Sequence, residues 1–133
     1  MVPIEVRAAK EKVSNQIANL TRFIDILGPI SAAIEAVDKE ARTRKVKKTV
    51  LDQNEVNKGK VLEAIRNLRA GLVALETEFR TKTVLRKYLV KIEGISVLSA
   101  QSEDSAFAGK FIESRRPLLT VLQKLSDTYP AMG

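Results

Sequence analysis

Cysteine, histidine and tryptophan are all missing from this sequence, and other aromatic side chains are few, with two Tyr and four Phe. Without Cys or His there is no thiol nucleophile, imidazole base, CxxC redox pair, zinc finger or His-containing triad. A disulfide framework is excluded as well, which points to an intracellular compartment. Scarce aromatics argue against base stacking on nucleic acid. A glycine-rich phosphate cradle is also lacking, because VNKGKVLEA holds a single Gly in place of the full pattern. No window reaches 18 uninterrupted apolar residues, and MVPIEVRAAKEKV has none of the features of a secretory leader. Neither a membrane span nor secretion is expected.

Positive charge is what the chain does have. Its 133 residues carry 23 Lys and Arg against 16 Asp and Glu, a formal net charge of +7. The long-range field therefore favours anionic partners: nucleic acid, anionic lipid or an acidic polypeptide. The length suits one domain, residues 1–133, with a real apolar core.

Apolar spacing predicts helices throughout. Val6, Val13, Leu20 and Leu27 recur every seven residues, with Ile17 and Ile24 between them, giving a long first helix over about 4–27. Gly28-Pro29 is expected to stop it, since Gly suits the residue after a helix and Pro the first turn of the next. Ile30, Ile34, Val37 and Ala41 then predict a second, weaker helix, and Asp52 or Asn54 would cap a third. From Val56 the set Leu62, Ile65, Leu68, Leu72, Leu75 and Phe79 follows the three-four rhythm. Gly71 within it marks a break or a close helix crossing. Val84, Leu85, Tyr88, Leu89 and Ile92 predict a shorter helix ending near Gly94. SVLSAQSEDSAFAG, small and polar, reads as a loop that caps a last helix near Ser102 or Ser105, with Phe107, Phe111, Ile112, Leu118, Val121, Leu122 and Leu125 on its buried face. Pro117 would kink that helix or begin another, and Tyr129-Pro130 would release the chain. No strand-like alternation and no internal repeat occur, so the fold class is all-α: a compact bundle of four to five helices with a long N-terminal helix.

Two clusters of cations stand out. RTRKVKKTVLDQNEVN, residues 42–57, opens with Arg42, Arg44, Lys45, Lys47 and Lys48, and a second cluster holds Arg86, Lys87 and Lys91. Such runs serve as solvated helix faces, import signals or phosphate contacts. The carboxylate pairs Glu103-Asp104 and Glu76-Glu78 fall where capping or solvation explains them, so no catalytic residue, metal ligand or cofactor site is assigned. Tyr88, Phe79 and Phe111 lie on apolar faces and read as core, while Phe107 reads as core or loop rim.

The order and spacing from VKKTVL through LDQNEVNKGKVLEAIRNLRAGLVALETEFRTKTVLRKYLVKIEGI, closing with FAGKFIESRRPLLTVLQKL, resembles the helical module shared by the N-terminal domain of transcription elongation factor TFIIS and the integrase-binding domain of LEDGF. The likeness covers residues 45–127. Leu51, Asp52, Glu55, Val56 and Asn57 match the family's apolar-Asp loop and the acidic-Val-Asn start of the next helix. The family's frequent C-terminal Trp is absent, and Ile92 stands where the integrase-binding domain has a loop Phe. The resemblance implies a nuclear, non-enzymatic module that docks short disordered motifs of transcription or chromatin proteins, acidic and Phe-containing. By the same resemblance, Leu51, Ile92 and Ile95 would line the docking gap, Asp52 would accept hydrogen bonds from the partner backbone, and the basic residues would steer acidic flanks. Two other readings stand beside it: a basic helical nucleic-acid binder, and an adaptor or self-associating bundle that uses the first helix.

Overall fold

Val6, Val13, Leu20 and Leu27 do form one buried line, but the helix that carries them does not stop at Gly28. In the computed structural model, which describes residues 2–133, α1 runs unbroken over Ile4–Thr43. Pro29 has no N–H for the carbonyl of Asp25, at a cost of about 3 kcal/mol in a helix interior. Both residues are exposed, so water can satisfy that carbonyl. Ile24, Leu27, Ser31 and Ile34, buried on either side of the dipeptide, hold the helical path. Complete burial of each aliphatic side chain contributes about 1.5–3 kcal/mol, enough to offset the break.

A turn at 44–47 leads into α2, Lys48–Thr81. The third helix thus begins several residues before the expected caps. Asp52 and Asn54 lie inside α2, and Lys47 precedes it without a side-chain cap. Asn54 instead ties the two helices together: buried at 5% exposure, it donates from Nδ2 to Asp38 on α1 at 3.0 Å. Lys58 pairs with the same carboxylate at 2.9 Å, fixing the register of the hairpin. Further along, Gly71 lies inside the unbroken α2 and faces α1, where a Cβ built on it would lie 2.6 Å from Nε2 of Gln16, the movable end of that side chain.

A 3-10 turn at Thr83–Leu85 opens α3, Arg86–Ile92, and Gly94 with φ +101 makes the turn that follows. Next comes α4, Ile95–Phe107, where the sequence pattern predicts a loop. Its polarity misleads, because Ser99 and Ser102 are fully buried. The hydroxyl of Ser99 donates to the Ser96 carbonyl at 2.8 Å and that of Ser102 to the Ser114 carbonyl at 2.7 Å. Short side chains let α4 sit close to α5, Phe111–Ala131, which passes through both Pro117 and Pro130. The last helix thus begins at Phe111, not at Ser102 or Ser105, and Phe107 and Ile112 are exposed rather than on its buried face.

The helices alternate in direction. Glu103 on α4 accepts from Arg66 and Arg69, while Glu76 near the far end of α2 meets Ser96 at the start of α4, so α4 is antiparallel to α2. Glu35 late in α1 meets Ile112 at the start of α5, and Lys10 lies over the ring of Tyr129, so α5 is antiparallel to α1. The result is an all-α, up-down-up-down bundle in which α1 packs on α2 and α5, α4 packs on α2 and α5, and α3 closes one end. Past Ile34 no residue of α1 is buried, and before Val61 only Asn54 of α2 is buried. The turn end of the hairpin therefore projects as a two-helix arm.

Candidate docking groove

The residues singled out from the sequence as a docking gap do not converge. Leu51 and Asp52 lie near the start of α2, half-buried and exposed respectively, and not in an interhelical loop. Ile92 and Ile95 are completely buried at the opposite end of the bundle. That end is marked by the contact of Glu76 with Ser96, about 38 Å along α2 from Leu51 at roughly 1.5 Å per residue. Ile92 and Ile95 close the core, and Asp52 faces solvent. The basic residues divide likewise. Arg42, Arg44, Lys45, Lys47 and Lys48 crowd the hairpin turn, whereas Arg86, Lys87 and Lys91 on α3 lie beyond the other end of α2, roughly 50 Å away.

A different surface has the shape of a binding site. Three connected depressions run along the outer seam between α1 and α2. The central one, about 260 Å³, is lined by Phe23, Ile26, Ile30, Val61 and Ala64, with Asn57 and Lys60 at its edge. It shares Asn57 with a depression toward the turn that contains Ala33, Val37 and Val50. In the other direction it shares Phe23 and Ala64 with one that reaches Gln16 and Leu68. Both walls follow the three-four rhythm: 23, 26, 30, 33 and 37 on α1, and 50, 54, 57, 61, 64 and 68 on α2. This is a second apolar stripe on α1, beside the one that faces the core. Ile26 is 52% exposed and Val50 41% exposed, so carbon faces solvent along the seam. By length and composition α1 is also apolar enough to cross a membrane; in the bundle one stripe is covered and the other lines this groove.

Charge around the groove is uneven. Residues 36–60 hold eight cations and four carboxylates. Three of those carboxylates are already engaged: Asp38 and Glu55 by Lys58, and Glu40 by Arg44. Burial pulls the Lys58 ammonium downward, but hydrogen bonds and attraction from Asp38 and Glu55 prevail and hold it above the usual lysine range. Among the described residues, Lys39, Arg42, Lys45, Lys47, Lys48, Lys60 and Arg22 form no ion pair. Arg22 stands one turn from Ile26 at the outer edge. No group of three or more acidic side chains is placed to hold a metal ion among the described residues.

Comparison with protein-family models, curated proteins and solved structures gives no match to this chain.

Proposed function

We propose that this chain is a non-catalytic protein-docking module whose partners are acidic segments with apolar or aromatic anchors. The observation that supports the reading most directly is the carbon-lined α1–α2 groove with unpaired cations at its edge and turn. An apolar floor supplies affinity when anchors leave water, and the surrounding charge speeds encounter and selects acidic flanks. The resemblance of residues 45–127 to the TFIIS and LEDGF modules adds the partner class, disordered transcription or chromatin proteins, and with it a nuclear setting. The site moves from Leu51, Asp52, Ile92 and Ile95 to the groove.

The test is a binding titration of the chain against acidic, Phe-containing peptides and, separately, against single- and double-stranded oligonucleotides over a range of salt. Peptide binding should persist near physiological ionic strength, because the apolar contribution is not screened. Asp52→Asn should leave it unchanged. Oligonucleotide binding with a steep salt slope, lost on changing Lys45, Lys47 and Lys87 and unaccompanied by peptide binding, would replace this reading with the nucleic-acid one.

A further inference from the structure

The groove's geometry says what form its occupant takes. Apart from the Asp25 carbonyl freed by Pro29, the two antiparallel helices present side chains and paired backbone groups, so an extended peptide laid between them would find almost no partners for its own backbone. A helix satisfies its backbone internally. It also matches the walls, since side chains repeating every three and four residues on α1 and α2 form the holes that a third helix fills with residues at the same spacing. Residues 16 to 37 of α1 span about 32 Å, which accommodates a helix of roughly 20 residues.

We propose that the groove receives an amphipathic helix of a partner protein, apolar along one stripe and acidic on its flanks, laid along the hairpin to complete a three-helix seam. The partner's apolar residues sit over Phe23, Ile26, Ile30, Val50 and Val61, and its carboxylates face Arg22, Lys60 and the basic turn. Charge selects this occupant over a second copy of the chain, because an interface between two such hairpins would bring together surfaces of the same sign on a molecule of net charge +7. It also selects protein over nucleic acid, since the groove floor is carbon and Phe23 is its one aromatic group.

This inference rests on the docking reading, and the experiment separates the two. A displayed library of 21-residue peptides, with randomised apolar residues at heptad a and d positions and all residue types elsewhere, is selected on the wild-type chain and counter-selected on Ile26→Asp. Ile26 is half exposed, so this variant keeps the core intact; circular dichroism and the melting temperature check that it is folded. A parallel library carries two central prolines, each of which costs a short helix about 3 kcal/mol. The expected result is enrichment of Asp and Glu outside a and d in the helical library alone. Selected peptides should gain helicity on binding, bind Ile26→Asp at least tenfold more weakly, and bind Lys60→Glu several-fold more weakly with a shallower salt dependence. Equal enrichment from the proline library, or binding unaffected by Ile26→Asp, would overturn the helix-in-groove inference and leave the docking reading standing. No enrichment from either library, or dimerisation of the chain abolished by Ile26→Asp, would overturn both.

Discussion

Glu76 shows how one carboxylate can organise a helix start. It is 6% exposed, yet its Oε1 accepts the backbone N–H of Ser96 at 2.9 Å, and Arg80 donates to its Oε2 at 2.7 Å. Burial pushes the carboxyl upward, but the Ser96 and Gly94 amides and Arg80 outweigh it and hold Glu76 below the usual carboxylate range. Burial likewise opposes, and hydrogen bonds from Lys82 and Lys12 dominate, at Glu78; at Glu103 the same balance involves Arg69 and Arg66. A carboxylate whose folded pKa lies below its unfolded value contributes stability above the unfolded value, near 4.5, and that contribution is lost as pH falls through the folded one. Urea unfolding of the wild type should therefore show stability declining progressively below about pH 4.5. Glu76→Gln should be less stable than wild type at pH 7 and show a shallower acid limb, and Glu76→Ala should cost about 2 kcal/mol at pH 7, because the amides opening α4 lose their acceptor.

At the level of elements, the Gly28-Pro29 step sets local preference against packing. Pro29→Ala restores a donor in the middle of α1 and should stabilise the fold by roughly 1–3 kcal/mol in urea titrations, with the helical circular dichroism preserved. A loss of stability would mean that the break is built into the packing of α1. The same competition explains what could be read in advance. The buried stripes at Val6, Val13, Leu20 and Leu27 and at Ile65, Leu72, Leu75 and Phe79 were legible, because a helix of any length repeats them. The continuation of α1 was not, since a stop signal acts over four residues whereas the packing that overrides it involves α5. Nor was α4 legible: Ser99 and Ser102 look like loop residues until another helix lies against them. Of the candidate site, the charge around the turn was visible in the sequence. The groove is the less legible part, because it takes two helices to form, although Phe23, Ile26, Ile30 and Val37 trace a second stripe on α1, and two stripes on one helix call for two neighbours.

On the scale of the whole molecule, cations gather at the two ends of a bundle about 50 Å long, each with exposed apolar side chains nearby, Val50 and Val56 at one and Val90 and Val97 at the other, and the end with the projecting arm is the one that adjoins the groove. The carboxylates that open the last two helices come from elsewhere. Glu35 on α1 accepts the N–H of Ile112 at 2.6 Å, 77 residues away in sequence, and Glu76 on α2 serves Ser96, 20 residues away. Neither α4 nor α5 carries a side-chain cap of its own. This arrangement predicts an order of assembly. The α1–α2 pair closes across a short turn at little entropic cost, whereas α4 and α5 acquire their first-turn partners once that pair presents them. Kinetic analysis should give φ-values above about 0.5 for Leu20→Ala and Leu72→Ala and near zero for Glu35→Ala and Glu76→Ala. High values at the two glutamates would reverse that order. In this sequence of events the hairpin that bears the groove is the first part of the protein to exist, and α4 and α5 fold against it as a template.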